Sequence, residues 1–217
     1  MRMKTYPFFV ILTALIAAVV AAGSQSIDET IIKANAGDAN SQFSLGLMYY
    51  WGRGVEQDYN EARKWFTQAA NQGCPKAQFE LAQMYEKGLS VVQNYNLAFE
   101  WYLKAATANF AKAQYSLGKF YAQGLGTGKH YSQAIEWLTK AANQGLSDAQ
   151  LELGLIYLQG RGVEQDDSEA QKWLTKAALQ NNAQAQYHLG LLYCKDRADE
   201  IQHDYKEAVK WFSKAGA

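Results

Sequence analysis

The chain has 217 residues, of which 48% are apolar and 19% charged, with 21 basic residues against 21 acidic ones. The apolar fraction excludes a largely disordered protein, and the balanced charge gives no support to a nucleic-acid-binding protein, which would show a basic excess. Only two prolines interrupt a chain rich in residues that favour helices, and two cysteines cannot build a disulfide framework. Composition therefore predicts a folded, helix-rich protein of one or two domains.

Residues 1–22 have the composition of a secretory signal peptide. Arg2 and Lys4 precede an uncharged apolar run from Phe8 to Ala22, which ends in small residues. This run is marginal in length for a membrane-spanning helix, so cleavage before Gly23 is favoured over an uncleaved anchor. Cleavage removes two basic residues and no acidic ones, which leaves a net charge of −2 and no strong attraction to anionic membranes. The leader predicts a periplasmic or secreted protein.

A 36-residue repeat organises the rest of the chain. Glutamine, leucine and tyrosine each recur five times at this interval, and tryptophan recurs four times with a fifth copy two residues late. The positions are Gln42, Gln78, Gln114, Gln150 and Gln186; Leu45, Leu81, Leu117, Leu153 and Leu189; Tyr49, Tyr85, Tyr121, Tyr157 and Tyr193; and Trp65, Trp101, Trp137, Trp173 and Trp211. Such self-similarity is typical of a solenoid or array built from one repeated unit.

Each repeat is predicted to form two helices, which in the first repeat cover about residues 39–50 and 59–71. The apolar residues of the second helix have amphipathic spacing. The glycines in residues 52–55 favour the left-handed conformation that ends a helix. Asp58 followed by Glu61 predicts a capping box at the start of the second helix. The same box is predicted at Asp166/Glu169 and Asp204/Glu207, and in a looser form at His130/Gln133.

Small residues recur where neighbouring helices must approach closely. Alanine precedes each repeated tryptophan by one turn, and glycine follows the repeated leucine in every repeat except the second, which has Ala82. A larger side chain at these positions should destabilise the fold by overpacking. Glycine or asparagine is also predicted to end the second helices, at Gly73, Asn109, Gly145 and Asn181.

The repeat units are predicted at residues 38–73, 74–109, 110–145, 146–181 and 182–217. Residues 23–37 form a linker and half a repeat, because residues 28–37 match the end of a second helix. The last unit has two extra residues in its loop, around residues 196–202, and no polar capping repeat follows it. That C-terminal end is therefore an expected contact site for a second copy of the protein, which would make a homo-oligomer.

The motif A-x-A-Q-x-x-L-G-x-x-Y-x-x-G-x-G-V-x-x-D-Y-x-x-A-x-x-W-x-x-x-A-A-x-x-G, which residues 40–73 follow almost throughout, resembles the Sel-1-like repeat. This family is related to the tetratricopeptide repeat. The resemblance covers about residues 27–217, with departures at Ala82, at Ser90 and in the last loop. It implies an all-α, right-handed α/α superhelix of five helix pairs whose concave side holds proteins or peptides. Exported bacterial members look like adaptors in envelope regulation or host contact.

Two motifs that suggest catalysis lack the residues that such chemistry needs. Ser116 and Lys119 spell S-x-x-K, the nucleophile motif of penicillin-interacting enzymes, but no S-D-N or K-T-G element accompanies it. Residues 124–129 (GLGTGK) resemble a phosphate-binding loop without its spacing or its final serine or threonine. A cysteine-rich branch of the family is associated with β-lactam binding and hydrolysis, but this chain lacks its cysteine pattern. No catalytic residue is therefore predicted.

Metal and disulfide sites are not predicted either. His130, His188 and His203 are far apart in sequence and have no partners at ligand spacing, so no metal site and no cofactor are expected. Cys74 and Cys194 are separated by three repeats, which places them too far apart for a disulfide bond.

A candidate partner-binding surface lies on the first helix of each pair, opposite its leucine and tyrosine stripe. At 100° per residue, positions 40, 44, 47 and 51 cluster there, and their occupants differ between repeats. In tetratricopeptide-like arrays this face lines the concave groove. The candidates are Ser44, Leu47, Trp51, Glu80, Gln83, Lys87, Ser116, Lys119, Glu152 and His188. Trp51 is the best single anchor, since aromatic side chains dominate interface energies. The alternative is an unused solvated face.

These observations favour a non-catalytic scaffold or adaptor that binds protein or peptide partners in its groove. Envelope regulation and host interaction are the expected settings, with no nucleic-acid partner and no membrane contact after the leader is removed. Two alternatives stay open. One is a β-lactam or cell-wall hydrolase, by analogy with the cysteine-rich relatives. The other is a self-assembling structural array.

Overall fold

In a computed structural model, which describes residues 27–194 and 205–216, the described residues form eleven α-helices. They are α1 (residues 27–35), α2 (Ala39–Trp51), α3 (Tyr59–Asn71), α4 (Pro75–Lys87), α5 (Tyr95–Thr107), α6 (Ala111–Gln123), α7 (Tyr131–Asn143), α8 (Ser147–Gln159), α9 (Asp167–Ala178), α10 (Ala183–Cys194) and α11 (Tyr205–Ala215). The predicted all-helical fold, with half a repeat followed by five helix pairs, is confirmed.

The helices belong to two compact units, residues 1–92 and 93–217. In the first unit, α3 packs against α2 and α4. In the second unit, each helix from α5 to α11 packs against the next one along the chain. Three predicted features lie outside the described residues: the leader over residues 1–22, the longer loop around residues 196–202, and the helix cap at Asp204.

Glycine and asparagine end the helices as predicted. Gly52 has a left-handed backbone with φ 64°, and its N–H donates to the Met48 carbonyl. The residues after the second helices share this conformation, with φ values of 84° at Gly73, 62° at Asn109, 87° at Gly145 and 62° at Asn181. Ser90 stands where other repeats have a loop glycine, and it also has a φ of 62°. Its hydroxyl accepts a 2.9 Å hydrogen bond from Arg63 Nε, which holds the unusual residue in place.

The predicted capping box at the start of α3 forms only in part. Asp58 Oδ1 accepts hydrogen bonds from the backbone N–H groups two and three residues later, at 2.7 and 3.2 Å. Glu61 does not complete the box, because the Asp58 N–H already donates to the Tyr49 carbonyl at 3.0 Å, and Glu61 pairs with Lys64 instead. Asp166 caps α9 in the same way.

The looser box predicted at His130 and Gln133 is wrong. His130 precedes α7, but its side chain makes no capping hydrogen bond. The imidazole instead lies edge-to-face against Tyr121, with ring centroids 6.2 Å apart. A polar residue at the right position therefore does not cap a helix when its ring packs against a neighbouring aromatic side chain.

Glycine in the first helices permits close helix packing, as predicted. A Cβ atom on Gly118 would lie 2.7 Å from Leu138 Cγ, and one on Gly154 would lie 2.6 Å from Leu174 Cγ. Both leucines are fully buried in the second helix of the same pair. The two backbones can approach this closely only because the glycines have no side chain.

Lysine side chains cover four of the repeated tryptophans on the second helices. The lysine three residues after each tryptophan places its Nζ over the indole ring, at 3.9 to 4.5 Å from the centroid. The pairs are Lys104 and Trp101, Lys140 and Trp137, Lys176 and Trp173, and Lys214 and Trp211. This cation–π contact shields the part of each ring that helix packing leaves open.

The five repeated glutamines are buried although they are polar. Each donates through Nε2 to the carbonyl eight residues earlier, in the last turn of the preceding helix, at 3.0 to 3.2 Å. The acceptors are Ala34, Ala70, Ala106, Ala142 and Ala178. In three repeats the Oε1 also accepts from a second glutamine, Gln72, Gln144 or Gln180. The repeated glutamine thus joins the start of a first helix to the end of the helix before it.

Replacing Gln150 with Leu should lower the free energy of unfolding by about 1–2 kcal/mol, because the buried Ala142 carbonyl and the side chain of Gln180 each lose a hydrogen bond. The hydrogen bond to the Ala142 carbonyl measures 3.0 Å, and the one from Gln180 Nε2 measures 2.8 Å. Urea denaturation followed by circular dichroism measures the change. As a control, Gln180→Ala should cost less, because Gln180 is exposed. Equal losses in the two variants would contradict the role given to the Ala142 bond.

Candidate functional site

The six candidate residues of the first unit lie on one face of α2 and one face of α4, at i, i+3 and i+7 spacing. Ser44 and Trp51 on α2 and Lys87 on α4 are exposed, whereas Leu47 on α2 and Glu80 and Gln83 on α4 are half-buried. The hydroxyl of Ser44 donates to the Asn40 carbonyl at 2.8 Å, so it is held against its own helix.

Trp51 belongs to an aromatic group at the end of α2. Its ring is 58% exposed and packs edge-to-face on Tyr50, with centroids 4.9 Å apart. Tyr50 in turn contacts Tyr59 at 5.3 Å. Burial raises the pKa of the Tyr50 phenol, and the nearby Glu80 carboxylate raises it further. The structure therefore brings Glu80 of α4 close to the aromatic group that carries Trp51.

The four candidates of the second unit are all half-buried: Ser116 and Lys119 on α6, Glu152 on α8 and His188 on α10. Lys119 Nζ lies 5.4 Å from the centroid of the Tyr115 ring. Burial raises the pKa of Tyr115 to about 12, with further contributions from the carboxylates of Glu152 and Asp148. Tyr115 therefore has a basic side chain of its own helix over its ring and packs against the buried cluster that includes residues of α8.

Tyr115 should make the fold sensitive to alkaline pH. Its pKa rises from an ordinary value of 10.0 to about 12 in the folded chain. The stability that this shift reflects is fully present below pH 10 and is lost as the pH rises towards 12, because the unfolded chain ionises first. In thermal denaturation at pH 9 to 11.5, Tyr115→Phe should lose less stability than the wild type. Tyr205→Phe, at an exposed position, should follow the wild type. Identical pH dependence in all three proteins would contradict the prediction.

His188 lines an open, mostly apolar cavity of about 720 Å³ in the second unit. Leu155, Tyr187 and Phe212 also line it. The rings of Tyr187 and Phe212 are 5.8 Å apart, and Tyr187 is 49% exposed. Burial lowers the pKa of the His188 imidazole, so the ring is mostly neutral at pH 7. The cavity therefore offers a mostly apolar surface that also carries the polar groups of Gln184, Tyr187 and His188.

The S-x-x-K pair lies on α6 with its two side chains one turn apart. The Lys119 ammonium is placed over the Tyr115 ring, as described above. Over residues 27–194 and 205–216, no group of three or more His, Cys, Asp or Glu side chains is placed to hold a metal ion. In the same ranges no helix has the length and apolar character needed to cross a membrane. Cys74 and Cys194 are free thiols.

The candidate set missed Tyr115, Tyr187 and Arg161. The two tyrosines follow the repeated glutamine, and other repeats carry Phe43, Phe79 or Leu151 there. The recurrence of a large side chain directly after the repeated glutamine was the sequence signal that could have identified these two tyrosines. Arg161 Nη2 lies 3.7 Å from Glu152 Oε2. Nothing in the loop sequence indicates this contact, because it depends on how the loop folds back towards α8.

Comparison with known proteins confirms the resemblance drawn from the motif. The Sel1 repeat model matches residues 39–74, 75–110, 111–146, 147–182 and 183–217. Each match begins one residue after the start of the predicted unit. Among functionally curated proteins, none matches the chain.

Solved structures of bacterial proteins share the fold. A protective antigen of uropathogenic Escherichia coli strains, with an SLR fold, is 33% identical with a TM-score of 0.82, and the match covers 89% of this chain and 41% of the antigen. A Sel1 repeat protein from Oxalobacter formigenes is also 33% identical with a TM-score of 0.82, covering 94% of this chain and 81% of that protein. A Klebsiella pneumoniae Sel1 repeat protein shares the fold at 24% identity, with a TM-score of 0.57 and coverage of 88% and 91%. The chain therefore belongs to the Sel1 repeat family.

Proposed function

We propose that this Sel1-repeat chain is an exported, non-catalytic scaffold that binds a protein or peptide partner on the exposed faces of its first helices. The observation that carries the proposal is the exposure of Trp51. It is 58% exposed, whereas at the repeat position Trp65, Trp173 and Trp211 are 6–8% exposed and Trp101 and Trp137 are half-buried. A tryptophan that is mostly exposed on the surface gives a partner a large apolar area to bury.

The residues around Trp51 suit an interface. Leu47 adds apolar surface one turn away on α2, and Glu80, Gln83 and Lys87 supply charged and polar groups on α4. Interfaces commonly combine an apolar centre, which supplies most of the binding energy, with a polar rim that selects the partner. The first unit therefore offers both parts of a binding surface within two helices.

Two observations support export. Residues 1–22 have the pattern of a cleaved signal peptide, and the Escherichia coli relative is a protective antigen. This chain spans 41% of that antigen's length, so the whole protein's role is carried over here only as a proposal. Mass spectrometry of the exported chain should find a mature N-terminus at Gly23. A full-length chain retained in the cytoplasm would contradict export.

Replacing Trp51 with Ala should weaken partner binding by about tenfold or more, the loss expected when a buried aromatic anchor is truncated. A tagged, exported chain is purified with its bound proteins, and the affinity of each captured partner is then measured for both proteins. Circular dichroism should show unchanged helix content, because Trp51 is exposed.

Val92→Ala is the matched control, since Val92 is 89% exposed but lies outside the candidate faces. It should leave partner binding unchanged. If both variants bind like the wild type, the Trp51 surface is not the site. Nitrocefin hydrolysis tests for catalysis. If the wild type hydrolyses nitrocefin and Ser116→Ala abolishes this activity, the protein is a hydrolase and the scaffold proposal is wrong.

A further inference from the structure

The second unit carries a surface on which charge changes sign from one first helix to the next. We call it the second-unit surface, formed by the exposed faces of α6, α8 and α10. On α6 it has Lys112 and Lys119, and on α8 it has Asp148 and Glu152. On α10 it has His188, beside the apolar cavity. The order along the surface is therefore basic, acidic and apolar.

Contacts within the second unit show that these faces are adjacent. Lys119 Nζ lies over the Tyr115 ring, and Tyr115 packs against the buried cluster that includes Ala149 and Leu153 of α8. Arg161 Nη2, 3.7 Å from Glu152 Oε2, offsets part of the acidic charge without forming a short ion pair. Leu155 of α8 lines the cavity together with His188 of α10. The α8 face thus adjoins both the basic face and the cavity.

The row of three faces fits a peptide in the polyproline II conformation. This extended conformation has three residues per turn and rises about 3.1 Å per residue, so side chains at intervals of three point to the same side, about 9 Å apart. Each of these side chains then meets one of the three adjoining faces. An acidic side chain pairs with the lysines of α6, a basic one with the carboxylates of α8, and an apolar one enters the cavity.

We propose that the second-unit surface binds an extended peptide segment carrying an acidic, a basic and an apolar residue at intervals of three. This inference rests on the proposed function, because it states the chemistry of the partner segment. Charge complementarity decides the order of the residues: exchanging the acid and the base would place like charges together at both α6 and α8, which interfaces disfavour strongly.

Four blocked heptapeptides test the proposal by nuclear magnetic resonance titration of the isotope-labelled mature chain. DSSKSSL and LSSKSSD present the proposed order in the two chain directions, and KSSDSSL and LSSDSSK have the acid and base exchanged. At least one peptide of the first pair should shift amide signals of α6, α8 and α10. Its exchanged counterpart should bind about tenfold more weakly.

The double variant Lys119→Glu, Glu152→Lys should remove this preference, because Lys112 and Asp148 then leave one positive and one negative charge on each face. Lys64→Glu, an exposed change on α3, should not alter the preference. The proposal is overturned if no peptide shifts these signals, if the exchanged peptides bind equally well, or if the double variant keeps the wild-type preference. Trp51→Ala tests the first unit separately. If Trp51→Ala loses partner binding but none of the peptides binds the second-unit surface, the proposed scaffold function is supported and only this inference is overturned.

Discussion

Gly162→Ala should lower the free energy of unfolding by about 2–4 kcal/mol, because the change combines two penalties. Gly162 has a φ of 73°, a left-handed conformation that a residue with a Cβ atom adopts at a cost. The added Cβ would also collide with Tyr131, whose Cγ would be 2.7 Å away. Tyr131 begins α7, so the loop of one repeat is pressed against the second helix of the repeat before it. Urea denaturation followed by circular dichroism measures the loss.

Gly145→Ala separates the two penalties. Gly145 has a φ of 87°, but a Cβ there would meet nothing within 4 Å. This variant should lose about 1–2 kcal/mol, from the backbone conformation alone. A loss at Gly162 no greater than the loss at Gly145 would show that the contact with Tyr131 yields without cost, contrary to the prediction.

Leu174→Ala should destabilise the chain by about 2–5 kcal/mol, the range for removing a fully buried leucine side chain. Leu174 is fully buried, and its Cγ and Cδ2 would lie 2.6 and 2.8 Å from a Cβ on Gly154. Gly154→Ala alone should cost about 1–3 kcal/mol by overpacking against this leucine.

In the Leu174→Ala background, the effect of Gly154→Ala should change sign. The methyl group then enters the space that the leucine leaves, and alanine favours a helix over glycine by up to about 1 kcal/mol. The double variant should therefore be no less stable than Leu174→Ala. Chemical denaturation of the two single variants and the double variant gives the coupling free energy. If the stability losses of the two single variants simply add in the double variant, glycine is required at position 154 for a reason other than the close approach of Leu174.

The helix pairs could be predicted because one pattern was repeated five times. Each copy checks the others, so the second helix predicted over residues 59–71 is found at Tyr59–Asn71. The close contact at Gly154 was predictable for the same reason, since a small residue recurs next to the repeated leucine. The exposure of Trp51 was also predictable, because Trp51 stands outside the repeat positions that form the core.

The remaining features depend on distances that a repeat pattern does not contain. The recurrence of Gln150 marked it as important, but only the fold shows its amide against the Ala142 carbonyl. His130 has a residue type and position compatible with a cap, and its contact with Tyr121 decides otherwise. Tyr115 and Glu152 are 37 residues apart in sequence, and helix packing alone makes them neighbours.

The difference in exposure between Trp51 and the repeated tryptophans gives the chain a built-in optical probe. Indole emission shifts to longer wavelength in water, so we expect Trp51 to emit at longer wavelength than the buried Trp65, Trp173 and Trp211. Replacing all but one of the six tryptophans with phenylalanine would leave a chain whose fluorescence follows a single repeat. Melting could then be compared repeat by repeat, and ligand arrival at α2 could be observed directly through Trp51.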